Sequence, residues 1–287
     1  MKKISIIGLG LMGGSIGLAL KARGLSWVVH GFARREETRQ EAIRRGMVDE
    51  AYGDIQKAVR DADLVVFCTP ILTIPDLARQ IWTALKQGAL VTDVGSTKSY
   101  LAQTISACQE EWGGACFIGS HPIAGSEQQG LDAARADLYE GAMTVITPEK
   151  KTMDSKPLAL LQEFWKSLGS AVSIMSPDQH DAMMARTSHL PHVLASILAL
   201  TVGRDASDAT VGAYCGTGFR DTTRVAEGAP DVWHDIVVTN AAALEMELEA
   251  CEQVLRAMKE AITKKEFERV RDLLAQGREA RIRLLAS

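Results

Sequence analysis

The sequence has no excess of positive charge. Lys and Arg number 32 against 36 Asp and Glu, a formal net charge of −4, so no basic field points to nucleic acid. It has no apolar run approaching the roughly 18 residues of a membrane span. Its opening, MKKISIIGLG, meets glycine too soon for a signal peptide and reads as a first strand. The five cysteines form no CxxC pair and no Cys/His zinc spacing. They are expected as buried free thiols in a reducing compartment, which makes a cytoplasmic location the expectation. No internal repeat or low-complexity segment occurs. What is present is an ordinary globular balance over 287 residues, 46% hydrophobic and 24% charged, enough chain for one or two domains.

The first part alternates two kinds of pattern. KISIIGLG, WVVHGFA, ADLVVFCTP, ALVTDVGS and ACFIGSHP read as strands, and the segments between them have helical spacing closed by glycine. Strands alternating with helices predict a parallel, doubly wound sheet, a Rossmann-type α/β domain. Such sheets bind ligands at the carboxyl ends of their strands. TPILTI, DVGSTK and GSHPIAGSE follow strands directly and are expected on one rim. From Pro177 strand signals cease. DQHDAMMARTSHLPHVLASILALTVG reads as one helix, apolar on most faces and therefore buried. Leu244, Leu248, Cys251, Leu255, Met258 and Ile262 alternate spacings of four and three, a heptad seam. The boundary is set as 1–173 for a dinucleotide-binding domain and 174–287 for an all-α substrate and dimerisation domain.

Gly8, Gly10 and Gly13 form GxGxxG between strand and helix, the context in which this motif binds a dinucleotide pyrophosphate. Leu11 and Met12 within the turn, and Thr69 and Pro70 after the third of these strands, are assigned to the same cofactor. NAD sites usually end the second strand with an acid. Here Ala33 stands there, followed by Arg34 and Arg35, which suit a 2′-phosphate. The expected cofactor is NADP, with NAD possible.

GLGLMGGSIGLAL, DVGSTK, GSHPIAGSE, LYEGAMTVITP, SHLPH and GFRDTTR occur in the order seen in prephenate and arogenate dehydrogenases, a family this sequence resembles over nearly its whole length. The resemblance implies oxidation of the ring hydroxyl of prephenate or arogenate, with loss of carbon dioxide, in tyrosine biosynthesis. It assigns the general base to His121, a role that a neutral imidazole fills well at neutral pH. By itself the position of His121 in a strand-end loop fits a structural hydrogen-bonder equally. Ser96 is implied to orient the imidazole; a helix N-cap is its plain alternative. Arg224 is implied to grip the ring carboxylate, and Arg220 would share its face if the segment is helical. Asp221 and Glu127 resemble acidic residues that organise the entrance. His192 is implied at the substrate side chain, His189 near the cofactor–substrate junction, and Trp233 in the pocket wall. Asp181 is taken to support the histidines. Lys98 reads as a solvated lysine at a helix start. His189 and His192 lack a third ligand at fixed spacing, so no metal is expected.

Family members pair through the helical domain, and a homodimer is expected. No regulatory or mutase segment is recognised; tyrosine feedback by competition at the site is left open, as is the residue that reads keto against amino. Two other readings stand beside this one. β-Hydroxyacid dehydrogenases share the GLGxMG opening but use a lysine in the helical domain, where this chain has SHLPH and GFRDTTR. A non-catalytic NADP sensor would keep the fold without the chemistry.

Overall fold

The computed structural model describes residues 2–124, 128, 130–205 and 209–286. The Glu127 of the sequence reading lies outside them. In chain order the elements are β1 (Lys2–Ile7), α1 (Leu11–Ala22), β2 (Trp27–Phe32), α2 (Glu36–Arg44), β3 (Glu50–Tyr52), α3 (Ile55–Val59), β4 (Leu64–Phe67), α4 (Ile74–Ile81), β5 (Leu90–Asp93), α5 (Ser99–Trp112), β6 (Cys116–Phe117) and β7 (Gly119–Ile123). There follow β8 (Met143–Thr147), α6 (Lys156–Ser167), β9 (Ala171–Ile174), α7 (Pro177–Met184), α8 (Leu190–Val202), α9 (Ala209–Ala213), α10 (Thr217–Thr223), α11 (Pro230–Thr239), α12 (Ala241–Thr263) and α13 (Phe267–Leu285).

Six strands form a parallel sheet in the order β3-β2-β1-β4-β5-β6. The inner strands are apolar on both faces because both faces are covered. Ile4 and Ile6 of β1 join Leu64 and Val66 of β4 in one core layer, while Ile7, Val65 and Phe67 point into the other. The strand order reverses between β1 and β4, so a crevice opens where the loops after these two strands part. Those loops carry Gly8–Gly13 and Thr69–Pro70.

The stretch ACFIGSHP is not one strand. β6 closes the large sheet, and after Ile118 the chain enters a second, three-stranded sheet, β7-β8-β9. There β7 pairs antiparallel with β8, and His121 lies opposite Val145. The expected single helix after Pro177 is also broken. A π-turn at Ala185–His189 separates α7 from α8, and Pro191 follows in the first turn of α8. Nor is α8 buried all round: Leu200 is 74% exposed, and Ile197 and Leu198 are exposed beside it.

By compactness the chain divides into residues 1–241 and 242–287, a division inside the stretch assigned from sequence to one helical domain. In the second unit Leu244 is buried and Leu248, Cys251 and Met258 are half-buried, but Leu255 and Ile262 of the same seam are exposed. Among the described residues no helix is long and apolar enough to cross a membrane.

Candidate active site

Gly8 has φ +108°, a backbone state costly for other residues, and a Cβ there would stand 2.8 Å from the Cys68 carbonyl oxygen. A Cβ on Gly13 would collide with the Gly8 carbonyl and Ile6, so α1 packs closely on β1. At Gly10 a Cβ would meet nothing within 4 Å: the turn leaves open space ahead of the helix N-terminus. That space belongs to a cavity of about 460 Å³, lined by Gly10, Leu11, Met12, Thr69 and Pro70 at one end and by Ser96 and His121 at the other. The turn and its open front fit a dinucleotide pyrophosphate.

At the far end of β2, Ala33 is buried, and Arg34 and Arg35 are exposed. Arg39 of α2 donates to the carbonyl oxygens of Ala33 and Arg34, each at 2.8 Å, and fixes the backbone of this loop.

A second cavity, about 730 Å³, shares Ser96, His121, Pro122, Ala124, Val232 and Ile236 with the first. Ile123 of β7 adds to it, and the rest of the wall comes from the helical segments, with Met184, Thr187, Ser188, His192, Arg224 and Trp233. The π-turn widens the helix where Thr187 and Ser188 face this space, a feature common at functional sites. His121 therefore stands at the junction of two cavities.

The imidazole of His121 is held from behind. Its Nδ1 lies 2.9 Å from His180 Nε2, and His180 Nδ1 lies 2.8 Å from Asp181 Oδ1. Asp181 also accepts the backbone N–H groups of Lys98 and Ser99, both at 2.8 Å. It thus caps α5 from α7, and Ser96 is not the cap. Burial pushes the Asp181 carboxyl up. The His180 N–H and the two backbone donors outweigh that and hold it below its ordinary value. An ionised Asp181 requires a proton on His180 Nδ1. His180 is neutral, its pKa lowered chiefly by burial, so its Nε2 accepts from His121 Nδ1–H. The chain of donors leaves His121 Nε2 with a lone pair. Burial, then the neighbouring His180, Lys98 and His189, keep His121 well below the ordinary 6.5. It is a neutral base at physiological pH.

His192 stacks on Trp233 with ring centroids 3.4 Å apart and planes 10° from parallel. Arg224 begins a 3₁₀ turn directly after α10 and lines the second cavity. The α-helix proper ends at Thr223, and Arg224 continues it with helical φ/ψ. Arg220 Nε donates to the Cys215 carbonyl at 3.1 Å. Asp221 is exposed on α10 and lines neither cavity. His189 is also absent from both linings. It is buried, accepts from Asn240 Nδ2 at 3.1 Å, and is held by burial at a pKa of about 4. Lys98 is not solvated: it is 1% exposed and ion-paired to Asp93. His180, Asp93 and Asn240 carry no signal in the sequence, and Lys98 reads there only as a solvated side chain; their roles come from contacts the fold makes. Among the described residues no group of three or more His, Cys, Asp or Glu could hold a metal ion.

Residues 16–174 match the nucleotide-binding domain of prephenate dehydrogenase, and residues 176–276 its dimerization domain. The chain is 33% identical to the cyclohexadienyl dehydrogenase of Zymomonas mobilis, over 99% of this chain and 96% of that one. Among solved structures, the prephenate dehydrogenase of A. aeolicus in complex with hydroxyphenyl propionate and NAD+ superposes with a TM-score of 0.90 at 32% identity, covering 99% of this chain and 98% of the other. The arogenate dehydrogenase of Synechocystis gives 0.82 at 31% identity, covering 98% and 99%.

Proposed function

The chain belongs to the prephenate dehydrogenase family, and from that premise we propose that it converts prephenate to 4-hydroxyphenylpyruvate and carbon dioxide. A nicotinamide dinucleotide bound along the glycine turn supplies the hydride acceptor. The observation that carries this reading is the chain Asp181–His180–His121 ending at the junction of the two cavities. His121 Nε2 takes the ring hydroxyl proton as the carbon-bound hydrogen leaves as hydride. Ser96, beside it in both linings, orients the hydroxyl. The imidazolium that forms is stabilised through His180 by the Asp181 carboxylate. Once the ring carbon is a ketone, the ring carboxylate is vinylogously β to it. Its C–C bond breaks, carbon dioxide leaves, and the electron pair passes through the ring to the ketone oxygen, which takes back the proton from His121 Nε2; aromatisation makes the step strongly downhill. The protein's contribution is positioning.

Arg224 grips the ring carboxylate by its guanidinium fork; among the described residues it has no anionic partner of its own. His192, Trp233 and the 187–188 hydroxyls surround the substrate side chain. No carboxylate lines this cavity among the described residues, which favours the keto side chain of prephenate over the ammonium of arogenate. Asp221 and Glu127 are assigned to the entrance on resemblance alone. A lysine-based hydroxyacid mechanism finds no support, since no Lys occurs between Lys166 and Lys259. The division of labour follows residues 1–173 for the dinucleotide and 174–287 for substrate and pairing.

Ala33, Arg34 and Arg35 favour NADP over NAD, because no acid there repels a 2′-phosphate. Steady-state kinetics with prephenate and arogenate, each with NADP and NAD, followed at the reduced-nicotinamide absorbance, test the whole reading. The highest kcat/KM is expected for prephenate with NADP. Equal turnover with NAD removes the cofactor assignment; no turnover with either substrate leaves a sensor.

The exposed faces of α8 and α12 are those a second copy would cover. The protein is proposed to be a homodimer, and light scattering is expected to report twice the 31.1 kDa chain mass. Five free cysteines agree with a reducing, cytoplasmic setting.

A further inference from the structure

One buried ion pair has no part in the reading above. Lys98 is 1% exposed and Asp93 fully buried. The ammonium donates to Asp93 Oδ2 and, at 2.9 Å, to the carbonyl oxygen of Ser120, the residue before His121. Asp93 also accepts from the Gly95 N–H at 2.7 Å and the Ser120 N–H at 3.3 Å. The backbone N–H of Lys98 is one of the two donors to Asp181. Lys98 thereby touches three elements around His121: the end of β5 through Asp93, β7 through Ser120, and α7 through Asp181. Its contacts span the seam between the six-stranded sheet and the three-stranded one.

Two glycines make room for this pair. A Cβ on Gly95 would lie 2.9 Å from Asp93 Oδ2, and one on Gly119 would lie 3.2 Å from Lys98 Cδ and 2.7 Å from Thr147 Oγ1. The glycines of DVGSTK and GSHP thus both stand against the pair, Gly95 on its carboxylate and Gly119 on its lysine stem and on Thr147. A lysine near a site for a dianion suggests substrate binding, but Lys98 lines neither cavity and its ammonium is directed at Asp93 and Ser120.

We propose that Lys98 is a positioning residue for His121: paired with Asp93, it clamps β7 against β5 and α7 so that the imidazole keeps its place and its hydrogen bond to His180. This rests on the assignment of His121 as the base. The charged and titratable groups around that imidazole are His180 and Asp181 from α7, His189 from the π-turn, Lys98 at the start of α5 and Asp93 from β5. Of these, Lys98 is ion-paired to Asp93, and its ammonium also disfavours a proton on His121.

Lys98→Met alone strands a buried carboxylate and invites unfolding. The informative variant is therefore Lys98→Met with Asp93→Asn, which removes both charges. Wild type and double variant are compared by thermal melting, NAD affinity, and kcat and KM for prephenate across pH. The expected result is a folded protein with wild-type NAD affinity, KM within about 3-fold and kcat lower by about 10²-fold. The acid limb of its pH profile is expected to move up toward an ordinary histidine. Wild-type kcat in the double variant overturns the proposal; so does a loss confined to KM, which would make Lys98 a substrate contact, or a parallel loss of NAD affinity, which would mark general damage. A wild type inert with prephenate and arogenate fails the parent reading, and this one with it.

Discussion

On the dinucleotide side of His121 the wall opens with a glycine turn and a helix N-terminus flanked by Leu11, Met12 and Pro70. On the other side the imidazole is backed by ionisable side chains withdrawn from water: His180, Asp181, Lys98 and Asp93. The first kind of wall recognises phosphate through N–H groups that never titrate. The second sets the protonation state and aim of one ring through partners that do. Binding of cofactor and turnover of substrate should therefore separate cleanly under mutation and pH.

The largest separation is expected at His121. His121→Asn should lower kcat by roughly 10²–10⁴, the usual worth of a general base, and leave NAD affinity measured by calorimetry unchanged. Near-normal turnover in a folded variant would return His121 to a structural role. Next comes Arg224→Ala. Losing a charged hydrogen-bonded pair costs about 1.5–3 kcal/mol of uniform binding, a roughly 10- to 150-fold rise in KM for prephenate with kcat little altered. An unaltered KM would put the ring carboxylate elsewhere. The smallest effect is a pH dependence. A base works only when unprotonated, so kcat/KM falls as pH drops through the pKa of His121 in the free enzyme. That pKa lies well below 6.5. The profile should hold level from neutrality through pH 6.5 and decline only below it. Affinity for NAD, which has no secondary phosphate to titrate, should stay flat over the same range. A decline centred at or above 6.5 would show that the shielding around His121 is not felt by the ring.

The two walls were also unequally legible in the sequence. Backbone sites are written locally: Gly8, Gly10 and Gly13 lie within six residues, and the alternating apolar runs of β1 and β4 announce the sheet that frames them. The histidine wall is assembled across the chain. His121 meets His180 over 59 positions, and Lys98 meets Asp181 over 83. No periodicity links such residues, so the sequence carries no signal for His180 and makes Lys98 look like a solvated side chain. Only the fold reveals the buried acid beneath it. The break between β6 and β7 was hidden because Cys116 to Pro122 is continuously strand-like. The sheet changes where Ser120 turns to Asp93 and Lys98, which a run of strand formers does not disclose. Arg224 enters the reading through resemblance and lines the second cavity, one residue beyond the end of α10.

The cap on α5 bears on how the molecule comes into being. A helix that begins with its own serine or aspartate can start as soon as it is synthesised. This one takes its capping carboxylate from Asp181, more than eighty residues downstream. Until α7 arrives, the first turn of α5 frays and the Lys98–Ser99 amides must be solvated. Contacts that span so much chain form late, because the intervening loop must be closed before they reward it. The histidine wall is then expected among the last parts of the first unit to become ordered, since a nascent chain that has emerged only through β9 lacks both His180 and the Asp181 carboxylate that holds it.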